Sequence, residues 1–175
     1  PNKEYNQTAI IIPTTSPCIN ITAENVTFNG NGFDIVNNTF TGTVIYSNAF
    51  NTTIKNTNMG IGNGTGIEFF YANNGTIYNN TIKGVHWGVY LNGSLSNSFL
   101  SNRIFTNGTS NNYGVYLSNS SNGKINLNNV STNGTLGSNH GIYLALNSSS
   151  ADINSNNIST NGQISNFGIF LEASS

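Results

Sequence analysis

Several stretches of this chain align beneath one another so that like residues share columns, and no other feature restricts the fold as much. "GIEFFYANNGTIYNNTI" begins at Gly66, "GVYLNGSLSNSFLSNRI" at Gly88, "GVYLSNSSNGKINLNNV" at Gly114 and "GIYLALNSSSADINSNNI" at Gly141. "GIFLEASS" opens another copy at Gly168, and "TVIYSNAFNTTIKNTNM" from Thr43 lacks the glycine but keeps the aliphatics. The step from Val44 to Ile54, Ile67 to Ile77, Val89 to Phe99 and Val115 to Ile125 is ten residues, and from Ile142 to Ile153 it is eleven. The next step is five in every copy, as from Ile77 to Ile82 or Ile125 to Val130. The return varies most, from seven residues (Ile82 to Val89) to twelve (Val130 to Ile142), so one turn absorbs most of the length changes.

Alternation within each segment sends Val115 and Leu117 to one side and Tyr116 to the other, the period of a strand. Three short strands per 22 to 27 residues, without helical periodicity, predict an all-β solenoid of about six coils, a parallel β-helix. A single coil buries three to five side chains at about 1.5–3 kcal/mol each, against about 1–2 kcal/mol of backbone entropy for every residue. Coils must therefore stack, strand over parallel strand, about 4.8 Å apart.

Stacking gives the abundant asparagine a purpose. Asn fills 36 positions, and the five-residue step reads Ile-x-x-Asn-x-Ile/Val, which sets Asn80, Asn102, Asn128 and Asn156 in one column with Thr57 in the earlier copy. An amide there can hydrogen-bond from coil to coil, and asparagine also tolerates the left-handed backbone of a tight turn. The column is expected to be structural.

Together, "CINITAENVTFNGNGFDIV" from Cys18 to Val36 and the repeats Gly-[Ile/Val]-Tyr-Leu-x-Asn-Ser and Ile-x-x-Asn-x-Ile resemble the right-handed parallel β-helix repeat proteins, the NosD-like or pectate-lyase-like superfamily. The resemblance runs from about Ile10 to the end, and implies the right-handed form of the solenoid, which agrees with the preference of parallel crossovers. Members abound among archaeal and bacterial surface proteins, and the same coil serves lyases, adhesins and tail spikes, so fold alone does not assign activity. Residues 1–18 are read as a lead-in strand and partial cap, with "AIIIP" as a lid, and residues 19–175 as the β-helix. Because "GIFLEASS" carries no polar cap, the helix is expected to continue beyond the C-terminus or to stack on a partner.

The chemistry-bearing residues are few. Five basic and six acidic residues give a net charge of −1, no footprint for nucleic acid, and no apolar run reaches the roughly 18 residues of a membrane span. Glycosidic cleavage needs two carboxyls about 5–10 Å apart. Glu4, Glu24, Asp34, Glu68, Asp152 and Glu172 are scattered over different coils, with Glu24 and Asp34 the one pair left open. His86 and His140 fall two coils apart, too far to share a metal, and Cys18 reads as a small buried hydrophobe. No catalytic, metal or cofactor residues are expected. An ice-binding reading needs flat threonine arrays, and none is read in register.

Two sets of aromatics remain. Trp87, Tyr113, His140 and Phe167 precede the glycine, and Tyr90, Tyr116, Tyr143 and Phe170 follow it by two, where strand parity makes them an exposed column able to bind sugar rings or another molecule. Asn-x-Ser/Thr occurs fifteen times, against about eight for random placement at this composition. Asn63, Asn92, Asn107, Asn119, Asn133 and Asn147 are candidate glycosylation sites. The expectation is a non-catalytic, extracellular structural or adhesive element of a cell-surface layer, sheath or filament, its partners being further copies, neighbouring coils or glycans. The rival readings are a polysaccharide-binding or carbohydrate-active protein and a viral tail-fibre segment.

Overall fold

The structure is a computed structural model that describes residues 2–172. Among the described residues all regular structure is strand, in three parallel sheets of seven, seven and six strands. One coil shows the plan: Tyr113–Ser118 lies in the first sheet, Lys124–Asn126 in the second and Asn129–Gly134 in the third. Each complete coil supplies one strand to each sheet, so the six-stranded third sheet counts six complete coils.

Three inward columns build the core. Ile45, Ile67, Val89, Val115 and Ile142 pair in register along the first sheet. Ile54, Ile77, Phe99 and Ile125 do so along the second, and Met59, Ile82, Ile104 and Val130 along the third. All thirteen are at most 2% exposed. Each residue therefore packs against its own kind above and below, and a coil that buries little alone is completed by its neighbours.

The repeated glycine is explained by crowding. A Cβ on Gly114 would lie 2.1 Å from Val130 Cγ1 and 2.6 Å from the Gly141 carbonyl oxygen. The first sheet meets the third so closely at that point that only hydrogen fits.

Two expectations need correction. Val44 does not stand over Ile67; Ile45 does, with Tyr46 over Glu68 and Thr43 over Thr65. Val44 takes the glycine's place, and both Val44 and Ile45 are fully buried, so apolarity could not distinguish the two registers. The asparagine column also does not occupy the left-handed turn position. Asn56, Asn79, Ser101, Leu127 and Ser155, each one residue earlier, have φ of 52–59°, leaving the column residues free to aim their amides along the axis.

At the start of the chain, Lys3–Asn6 pairs in parallel with Val26–Asn29 of the second sheet, and Ile11 bridges to Ile35 of the third. Ile10 and Ile12 are exposed, while Ile11 packs against the core.

Candidate functional site

The column predicted from the five-residue step lies inside the corner between the second and third sheets. Asn80, Asn102 and Asn128 are each 1% exposed. Asn102 Oδ1 accepts from the backbone N–H and the side-chain amide of Asn80, at 3.0 and 3.1 Å. Asn102 Nδ2 donates to the Ile77 carbonyl at 2.9 Å and to Asn128 Oδ1 at 3.0 Å. Asn128 repeats this with Phe99 and Asn156, and Thr57 closes the top with a hydroxyl 2.7 Å from Asn80 Oδ1. Each amide thus satisfies turn groups that would otherwise be buried without partners.

Two further ladders went unread in the sequence. Ser94, Ser120 and Ser148 line the corner between the first and second sheets, each hydroxyl accepting a backbone N–H of the coil before it, from Ala72, Ser94 and Ser120 in turn, at 3.0–3.1 Å. At the remaining corner Asn112 donates to Asn139, and Asn139 to Asn166. A signal for the latter is present: an asparagine stands just before the aromatic and glycine in Asn112-Tyr113-Gly114, Asn139-His140-Gly141 and Asn166-Phe167-Gly168. His86 takes that place one coil earlier, and there the ladder breaks: His86 Nδ1 and Asn112 Oδ1 are buried without hydrogen-bond partners.

Outside the first sheet, the aromatics form one continuous surface two rings wide. Tyr90, Tyr116 and Tyr143 stack at centroid spacings of 5.0 and 4.9 Å with interplanar angles of 20° and 6°, and Phe170 follows at 5.2 Å. Trp87, Tyr113 and His140 stack beside them at 6.3 and 5.5 Å, and edge contacts near 5 Å join the two columns. The column read as exposed is half-buried, because the rings cover one another. Nearly parallel rings about 5 Å apart are offset-stacked, so both faces of Tyr116 and Tyr143 are occupied by neighbouring rings. Their edges and hydroxyls meet solvent, not their faces.

Burial pushes the Tyr90, Tyr113 and Tyr116 hydroxyls up from the ordinary phenol value. Tyr143 is pushed further, by burial and then by Glu172, whose Oε2 accepts its hydroxyl at 2.8 Å. The face is therefore a row of neutral phenols at physiological pH. Below it, His140 is buried, and its Nδ1 accepts the Phe167 N–H at 3.3 Å.

The acids do not converge. Glu4 and Asp152 share an outer column of the second sheet with five positions between them. Asp34 is on the third sheet, Glu68 on the first, and Glu24 in a turn between the first two, on a different wall from Asp34. Asn29 and then Lys55 hold the Glu4 carboxyl below the usual carboxylate range. Among the described residues no three His, Cys, Asp or Glu side chains group as a metal site. Cys18 is half-buried against the core, where burial pushes its thiol up.

Thr27, Thr53 and Thr76, with Ser98, do fall in register on the second sheet, a column missed in the sequence because the strands holding it are only three or four residues long. Asn29, Lys55, Tyr78 and Leu100 run beside it, so no flat threonine array results. Of the six candidate sequons, Asn63, Asn107, Asn119, Asn133 and Asn147 are exposed. Asn92 is half-buried, and Ser94 of its sequon is committed to the serine ladder.

Comparison with known proteins agrees with this architecture at the level of family. The family described as right handed beta helix region matches residues 6–175. No curated protein and no solved structure matches the chain. On a match that covers nearly its whole length, the chain belongs to the right-handed β-helix family.

Proposed function

We propose that this chain is a non-catalytic structural or adhesive β-helix element of an extracellular surface layer, sheath or filament. The supporting observation is the aromatic face of the first sheet. Sugar-binding aromatics offer a ring face to the sugar, and here the inner ring faces are taken by other rings. Stacking of that kind stiffens the coil-to-coil axis, as do the ladders at the three corners. Contact with a second copy or a glycan then falls to hydroxyl-bearing ring edges and to the neutral amides of the outer surface. The exposed sequons fit an extracellular setting.

The test is sedimentation and electron microscopy of the purified chain, with a parallel assay for polysaccharide cleavage. Concentration-dependent assembly that weakens in the Tyr116→Ser, Tyr143→Ser double variant supports the proposal. Isolated monomers that cleave polysaccharide would overturn it.

A further inference from the structure

Of the eleven charged residues in this chain, three gather on the outer face of the third sheet. Asp34, Asn58, Gly60, Thr81, Lys83 and Arg103 line a groove of about 510 Å³ there. Its floor is Gly60, which backbone geometry does not demand: it lies outside the positive-φ glycines, and a Cβ there would meet only Val36 Cγ1, at 3.3 Å. Residues in the same column elsewhere are Val36, Lys83, Phe105 and Ser131, so the missing side chain at Gly60 is what opens the surface.

Two features mark the surroundings of the cations. A bulge at Gly84, where φ is +74° and a Cβ would sit 2.3 Å from the Ile61 carbonyl oxygen, interrupts the strand just after Lys83. Bulges re-aim neighbouring side chains. Arg103 places its guanidinium carbon 5.7 Å from the centre of the Phe105 ring, and Phe105 stands in register with Lys83. The cations are thus diagonal neighbours, with Cα atoms about 7–8 Å apart. Among the described residues the only salt bridge is Lys55 with Glu4, so neither charge is neutralised. Asp34 heads the column Asp34, Asn58, Thr81, Arg103, about 14 Å from the arginine at three strand spacings.

Adjacent like charges repel unless an anion lies between them. We propose that this groove binds a phosphate monoester carried on a small polyhydroxylated ligand. Lys83 and Arg103 hold the dianion by charge-assisted hydrogen bonds, Thr81 and Asn58 meet the ligand's hydroxyls, and Asp34 repels the charged end and so fixes its direction. The groove and the aromatic face are on different sheets, and this site stands whether or not the chain is a structural element.

The experiment is a titration of the chain, followed by backbone amide NMR at low salt, with glucose 6-phosphate, glucose and glucuronate in turn. Saturable shifts confined to the third-sheet segments around Asp34, Asn58–Gly60, Thr81–Lys83 and Arg103–Phe105 are expected with glucose 6-phosphate, and binding at least tenfold weaker with the other two. Lys83→Ala and Arg103→Ala, both at exposed positions, should each weaken binding by about tenfold. Raising salt from about 20 to about 200 mM should weaken it similarly. Gly60→Leu should abolish it by filling the floor; if that variant fails to fold, the two alanine variants decide. Glucose or glucuronate binding as tightly as the phosphate ester, or wild-type affinity in both alanine variants, overturns the proposal.

Discussion

The asparagine ladder and the aromatic columns run along the same axis, one just inside the wall and the other just outside it. Both set like on like at the coil spacing, yet different physics holds them. Asn102 is 1% exposed and sits between groups with no access to water, so its four side-chain hydrogen bonds are obligatory. Tyr116 is half-buried among rings that could meet solvent instead, and its stacking adds stability without satisfying anything. One column is needed for the coil to close; the other determines how firmly closed coils resist shearing.

That contrast can be broken by exchange. Asn102→Ala strands the Ile77 carbonyl and an Asn80 N–H and should lower unfolding free energy by about 2–4 kcal/mol, measured by denaturant titration. Tyr116→Ser removes stacking partners at a half-buried site and should lower it by about 1–2 kcal/mol. Equal losses would show that the inner ladder is no more demanding than the outer. His86→Asn should act in the opposite sense, extending the third ladder one coil beyond Asn112 and raising stability by about 1 kcal/mol. No gain would mean that something other than the imidazole interrupts the column.

The smallest effect concerns pH. Burial lowers the pKa of both His140 and His86. The unfolded chain then binds protons that the native one does not. Stability is therefore full above the ordinary histidine value of about 6.5 and declines as pH falls below it toward the depressed native values. Replacing His140 by Phe should flatten part of that decline in unfolding curves taken between about pH 7.5 and pH 5. An unchanged slope would remove His140 from the account.

The inner ladder was readable because the step from Ile77 through Asn80 to Ile82 never changes length, so spacing alone aligned it. The serine ladder was not, since the ten-residue segment that holds Ser94 and Ser120 lengthens to eleven around Ser148, where several serines stand side by side. The register at Val44 and Ile45 was lost because either residue suits the core. The role of asparagine was half-read: one-letter code cannot tell an asparagine kept for a left-handed backbone, such as Asn79, from one kept for its amide, such as Asn80. Nor could it show that stacking would hide the tyrosine faces, because a ring's orientation depends on its neighbours above and below. The groove went unseen for a related reason, since Lys83, Arg103 and Gly60 meet only after the bulge and the coil register have set them together.

In the inner ladder every amide-to-amide hydrogen bond runs from the earlier coil to the later, while the other N–H of each amide turns back to a backbone carbonyl. The amide-to-amide bonds all share one sense, as in a row of compass needles. The molecule is thereby an arrow and not merely a rod, with chemically unlike tip and tail. Copies joined lengthwise would have to follow one another nose to tail, since a mirror-fashion meeting of two tips would set donor against donor.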